Sequence, residues 1–145
     1  MSSTIGKRVL FVDDEPGMRE VLAIVLHEEG YEASTARDGL DALTQIRSAR
    51  PDLIISDLNM PRMSGFEFLS VVRRRFPSIP VIAISDSYET AERLPAGVVA
   101  DAFYPKARCN ADELLGTVAS LIRTPVERPT NSGQCNVQNG NWSAL

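Results

Sequence analysis

The chain is poor in the residues that soft-metal and redox chemistry use most, with two cysteines and one histidine among 145 residues. Cys109 and Cys135 match no metal-ligand or redox spacing, so both are read as free thiols in a reducing compartment. His27 stands alone in "VLHEEG" near a helix end and is expected to face solvent. Excess positive charge is also lacking: the net charge is -4 and the isoelectric point lies near 5.0. A nucleic-acid binder would carry a basic stripe, so direct nucleic-acid binding is not expected. The one basic run, Arg73 to Arg75, closes a helical pattern, where it complements the helix dipole as a solvated end. No long hydrophobic run is found either. The polar start "MSSTIGKR" leads into no apolar stretch long enough for a signal peptide or a membrane span. A cytoplasmic protein without membrane insertion is expected.

What is present suits one folded domain. The composition, 43% hydrophobic and 23% charged, is that of an ordinary soluble protein. A domain of this length buries roughly 70% of its unfolded surface and needs neither disulfide nor structural metal. Short β-rich runs alternate with amphipathic segments. The runs are "RVLFVD" (8–13), "YEAST" (31–35), "DLIISD" (52–57), "PVIAIS" (80–85) and "DAFYP" (101–105). Between them Met18, Val21, Leu22 and Val25 follow helical spacing, as do Leu40, Leu43 and Ile46, then Phe66, Leu69 and Val72, and finally Leu114, Val118, Leu121 and Ile122. Pro16 suits a first helical turn and Gly30 a helix end. Runs one, three and four are almost continuously apolar, as in a parallel sheet covered on both faces. The pattern predicts an α/β fold: a doubly wound five-stranded parallel sheet with right-handed crossovers, flanked by five helices. The fourth helix, in "SYETAERLPAGVV", should be short or irregular because it contains Pro95 and Gly97. No internal repeat is evident.

The composition changes near Thr124. Residues 124–145 are rich in Asn, Ser, Gly, Gln and Pro without periodicity, so a disordered C-terminal tail is expected after a domain spanning 7–123. The Asn141-Trp142-Ser143 triplet fits a glycosylation acceptor only formally, since no secretion signal accompanies it, and Trp142 reads as an unpacked tail residue.

The chemistry sits at the strand ends. In an open α/β sheet, ligands bind beyond the carboxyl ends of the strands where the strand order reverses. Asp13 and Asp14 end the first run and Asp57 ends the third, and a 2-1-3-4-5 order makes these strands neighbours. Any one of these acids alone would read as a helix N-cap. Three converging favour a site, and adjacent carboxylates repel unless compensated: about 4 kcal/mol for charges ~4 Å apart at an effective dielectric of 20. A hard divalent cation such as Mg²⁺, with its oxygen ligands and retained waters, supplies that compensation. Ser85 closes strand four and Lys106 follows strand five. A metal, an ammonium and a hydroxyl around a carboxylate would together hold a phosphoryl group.

The ordered set "VDDE", "DLNMPRMSG", "IAIS" and "FYPK" closely resembles the receiver domain of two-component response regulators, with a flavodoxin-like or CheY-like fold, over residues 7–123. The resemblance implies that Asp57 accepts a phosphoryl group from a histidine kinase or a histidine phosphotransfer protein. It implies that Asp14, Asp57 and the backbone carbonyl of Asn59 ligate Mg²⁺, with Asp13 acting through water. Lys106 would pair with the phosphoryl oxygens, Ser85 would move to hydrogen-bond them, and Phe103 would rotate inward as the switch to a downstream protein partner. Pro61 and Gly65 would form the tight turn into the third helix. Such a domain is a phosphoacceptor with self-dephosphorylation rather than an enzyme. A phosphotransfer role for His27 does not fit, because that role belongs to helical bundles.

The sequence departs from the family pattern at two positions: Ala107 stands where the lysine is usually followed by proline, and Asp86 where a small residue usually follows the hydroxyl. The second adds a carboxylate beside the site. Other readings fare less well. A haloacid dehalogenase would want an acid at position 59, which is Asn, and a flavodoxin phosphate loop would be repelled by "DDEPG". Two alternatives stay open, a receiver-like interaction module that is never phosphorylated and a receiver cut from a longer regulator with an output domain.

Overall fold

The computed structural model describes residues 6–60, 63, 65–85, 100–106 and 110–123. Pro61, Asp86, Ala107, both cysteines, the segment expected to form a helix around Pro95, and the tail from 124 lie outside these residues.

The apolar runs become five strands, β1 (Arg8–Val12), β2 (Glu32–Ala36), β3 (Leu53–Asp57), β4 (Val81–Ser85) and β5 (Ala102–Pro105), in one parallel sheet ordered β2-β1-β3-β4-β5. Every residue of β3 and β4 is buried, which explains why their sequences show no polar alternation. Successive side chains leave the sheet on opposite faces. Leu10, Val12 and Ile54 therefore join one cluster, and Val9, Phe11 and Ile55 the other.

Four helices are found among the described residues: α1 (Pro16–Glu28), α2 (Gly39–Ser48), α3 (Gly65–Arg75) and α4 (Ala111–Arg123). The first cluster is closed by α2 and α3 through Ala42, Ile46, Phe68, Leu69 and Val72. The second is closed by α1 and α4 through Leu22, Leu26, Leu114 and Val118. None of the described helices is long and apolar enough to cross a membrane.

The structure moves several details of the sequence reading. On α1 the buried stripe runs through Leu22 and Leu26, with Met18 and Val25 beside it, whereas Val21 is 59% exposed. One residue along a helix turns the side chain about 100°, enough to carry Val21 off the buried face. Leu40 is likewise exposed, and Ala42 takes the place expected for it on α2. The second strand starts one residue late because the Tyr31 N–H is used to close α1. Gly30, at φ +98°, donates to the His27 carbonyl at 3.0 Å, and Tyr31 donates to the Leu26 carbonyl at 3.1 Å. This double closure needs a left-handed residue, which glycine supplies without strain. Of the basic run, Arg74 and Arg75 are exposed as expected. Arg73 instead lies largely buried 3.6 Å from Asp101 Oδ2, which also accepts the Val81 N–H at 2.8 Å. His27 is exposed.

Candidate functional site

The carboxyl ends of β1, β3, β4 and β5 meet at one edge of the sheet. β1 stops at Val12, so Asp13 lies just past it, still anchored by its N–H to the Ala36 carbonyl at 3.0 Å. Asp13 is not a helix cap, since α1 has Glu15 at that position. Its Oδ1 accepts the Glu15 N–H at 2.9 Å, and Arg19 Nη1 donates to its backbone carbonyl at 2.7 Å. Asp57, the last residue of β3, is 1% exposed and accepts the Asn59 N–H on Oδ1 at 3.1 Å. Asp14 is exposed at the mouth. Carboxylate oxygens of Asp13, Asp14 and Asp57 all lie within 4.8 Å of one another.

Lys106 enters this group from the end of β5. Its Nζ lies 3.1 Å from Asp13 Oδ2, 3.1 Å from Glu15 Oε1 and 3.2 Å from Asp57 Oδ2. The contact with Asp13 Oδ2 pairs charges without the alignment of a hydrogen bond. The donated bond runs instead to Oδ1 at 3.4 Å, and Oδ2, although buried, receives none. Ser85 is buried at the end of β4, and its hydroxyl donates to Asn59 Oδ1 at 3.0 Å. Phe103 is already inward, buried in the cluster that contains Ala83 and Ile54.

Burial dominates the electrostatics. It raises the Asp57 carboxyl from an ordinary 3.8 to about 6, with the negative charge of Asp13 adding to it, while the Asn59 N–H and Lys106 pull the other way. Burial also raises Asp13, against the opposing hydrogen bonds from the Glu15 N–H and Lys106. For Lys106 burial favours the neutral amine, but hydrogen bonds to Asp13 and Glu15 and the charges of Asp57 and Asp13 outweigh it and hold the ammonium above its ordinary range.

Three carboxylates, Asp13, Glu15 and Asp57, thus share one ammonium, Asp13, Asp14 and Asp57 offer oxygens to a common point, and a buried carboxylate oxygen of Asp13 lacks a hydrogen-bond donor. That donor set fits a hard divalent cation bound through oxygen, and Asp13, Asp14 and Asp57 are the side chains that would hold it. Of the residues expected at the site, the structure brings Asp13, Asp14, Asp57 and Lys106 together, and Ser85 reaches Asn59, two residues beyond Asp57. The sequence reading missed three contributors: the Glu15 side chain, Arg19, and the side chain of Asn59, which accepts the Ser85 hydroxyl. Glu15 carried a signal, since it precedes Pro16 at a helix start where Ser, Thr, Asp or Asn usually caps.

Similarity to known proteins agrees with this geometry. The chain matches the response regulator receiver domain over residues 9–115. It is 34% identical over 131 residues to the DNA-binding response regulator MtrA of Mycolicibacterium smegmatis, covering 87% of this chain and 55% of that protein. It is 38% identical over 119 residues to the nitrogen assimilation regulatory protein NtrX of Azorhizobium caulinodans, covering 80% and 26%. The chain therefore spans about half, or less, of the length of these curated relatives. Among solved structures, the response regulator protein TrrA of Thermotoga maritima, in complex with Mg²⁺-BeF, superposes with a TM-score of 0.71 at 38% identity, covering 79% of this chain and 98% of that one. The chemotaxis response regulator CheY4 of Vibrio cholerae gives 0.71 at 34% identity, covering 80% and 98%. Because the family model matches residues 9–115, most of the chain, the chain belongs to the response regulator receiver domain family.

Proposed function

We propose that Asp57 is the phosphoacceptor, taking a phosphoryl group from a histidine kinase or a histidine phosphotransfer protein in a Mg²⁺-dependent reaction. The observation that carries this reading is the placement of Asp57, buried at the end of β3 with one oxygen on the Asn59 N–H and the other on Lys106. Each contact turns a lone pair in a fixed direction, and the contact on the oxygen that attacks phosphorus must be traded. A bond forms from an Asp57 oxygen to phosphorus while the bond from phosphorus to the donor breaks, and the bonding electron pair leaves with the donor.

Asp13, Asp14 and Asp57, with the carbonyl of Asn59, would hold Mg²⁺, which when bound supplies charge neutralisation for the phosphoryl oxygens. Lys106 pairs with one of those oxygens. Ser85 leaves Asn59 Oδ1 to donate to another, and its loss from that bond is the first movement of the switch toward a downstream protein partner. Since Phe103 is already buried, the ring serves as packing that senses Ser85 rather than as a swinging arm. Water attacking the acyl phosphate returns the free carboxylate, so self-dephosphorylation resets the site. No nucleic-acid contact is assigned to this acidic edge; DNA binding is stated of MtrA, a longer protein.

The test is intact-mass spectrometry after incubation with acetyl phosphate and Mg²⁺, followed by borohydride reduction and peptide mapping. One phosphoryl group on Asp57, blocked by EDTA, is the expected result. Label on another residue, or labelling that survives EDTA, would overturn the reading.

The metal ligands make a separate prediction. Asp14 is open at the mouth, whereas both oxygens of Asp13 already face Lys106 and one holds the Glu15 N–H. Removing a directly bound carboxylate costs more than removing one that acts through water. Asp14→Ala is thus expected to weaken Mg²⁺ at least about tenfold and Asp13→Ala less. A calorimetric titration giving the reverse order would refute this division.

A further inference from the structure

Glu15 occupies the N-cap of α1 yet makes no side-chain capping bond. A residue there ordinarily turns its side chain onto the first free N–H groups of the helix. Its carboxylate goes instead to Lys106, with Oε1 3.1 Å from Nζ. Lys106 has three N–H donors, and among the described residues its Nζ donates to Asp13 Oδ1 at 3.4 Å, Glu15 Oε1 at 3.1 Å and Asp57 Oδ2 at 3.2 Å. A phosphoryl group on Asp57 brings roughly -1.5 to -2 charges and three strong acceptors. The phosphoryl group takes the place of Asp57 Oδ2 on Lys106, and for the ammonium to follow it or give it a second N–H, Asp13 or Glu15 has to give way. Releasing Asp13 would strand a fully buried carboxylate. Releasing Glu15 returns a side chain already 63% exposed to water.

The geometry points to Glu15 as a positioning residue that holds Lys106 in the resting site and competes with the phosphoryl group for it. This rests on Asp57 being the acceptor. Glu15 touches no reacting atom; it acts through the ammonium, and its hold opposes the phosphorylated state. Neutralising it frees Lys106 for the incoming anion. Because an exposed ion pair is weak, the gain is modest, about three- to fivefold in affinity for a phosphoryl mimic.

The experiment uses Glu15→Gln, Lys106→Met and the double variant, with beryllofluoride and Mg²⁺ as the probe, titrated by calorimetry. Position 15 is exposed, so the Gln variant should fold as the parent does. Tightening of about three- to fivefold in the parent background and none in the Lys106→Met background supports the inference. Equal tightening in both backgrounds would mean plain charge repulsion and overturn it, as would unchanged or weaker binding by Glu15→Gln. A second readout needs neither metal nor mimic: reductive methylation of Lys106, followed by mass spectrometry, should run about threefold faster in Glu15→Gln. An unchanged rate overturns the inference, and this readout decides if Lys106→Met binds too weakly to titrate. Beryllofluoride binding that survives in Asp57→Asn would instead overturn the acceptor assignment, so the two failures are distinguishable.

Discussion

The Asp57→Asn variant is expected to take up no phosphoryl group from acetyl phosphate and, in the absence of metal, to melt above the parent at neutral pH. The first effect follows from chemistry, because the amide that replaces the carboxylate offers no anionic oxygen to phosphorus. The second follows from burial. Asp57 titrates near 6 in the folded protein against an ordinary 3.8, so the folded state holds its proton more tightly than the unfolded chain does. Between about pH 4 and 6 the folded state therefore carries more bound protons, and its stability falls as pH rises through that window. Above it the full penalty remains, on the order of 3 kcal/mol from this displacement. Asn keeps the shape and removes the charge, at the expense of the contact between Oδ2 and Lys106, which retains Asp13 and Glu15. A net gain of about 1 kcal/mol, or roughly 5 °C in melting temperature, is expected near neutral pH, shrinking toward zero by about pH 4 where the parent carboxyl is already protonated. Melts in EDTA at the two pH values, with intact-mass spectra, check both halves. A lower melting point for the variant at neutral pH would show that Lys106 depends on Asp57 more than burial penalises it.

Gly65→Ala should be the most damaging of the small substitutions. Gly65 opens α3 with its N–H on the Leu58 carbonyl at 3.2 Å. An added Cβ would lie 2.4 Å from the Asp57 carbonyl oxygen and 2.4 Å from Leu58 Cα. Both neighbours are backbone, so no rotamer change relieves the clash. The helix cannot simply retreat either, since Phe68, Leu69 and Val72 are fully buried in the cluster under it. Overpacking of this kind costs about 3 kcal/mol or more. The displaced atoms belong to the residue that carries the site, so Mg²⁺ binding should weaken as well. Gly116→Ala is the control: it lies inside α4 with nothing within 4 Å of the added carbon, and should stabilise by about 0.5 to 1 kcal/mol through helix propensity. Denaturant melts that rank the two variants the other way would refute the close approach at Gly65.

Much of this molecule is written locally. Strands buried on both faces must be apolar at every position, so β1, β3 and β4 stand out as runs, and the helical stripes between them leave few folds open other than an alternating parallel sheet. Because ligands bind where such strands end, Asp13, Asp14, Asp57, Ser85 and Lys106 stand out in the sequence as candidates for one site. Which way individual side chains turn was not legible. Val21 and Leu40 fit a helical repeat yet face outward, since the exact rotation of a helix is set by the sheet it packs on. Tyr31 fits a strand yet closes α1, because the backbone bonds that end a helix outrank one more residue of pairing. The partners of Lys106, Ser85 and Arg73 were hidden for a related reason. Glu15 and Lys106 are separated by 91 residues and Ser85 and Asn59 by 26, so only the stacking of parallel strands brings them within hydrogen-bond reach. Burial, which raises Asp57 to about 6, is likewise a property of the assembled sheet. The sequence alone determined which groups are available and at which strand ends they emerge; the tertiary structure decided which of them touch and how strongly each holds its proton, because both depend on distances and dielectric surroundings that no local pattern encodes.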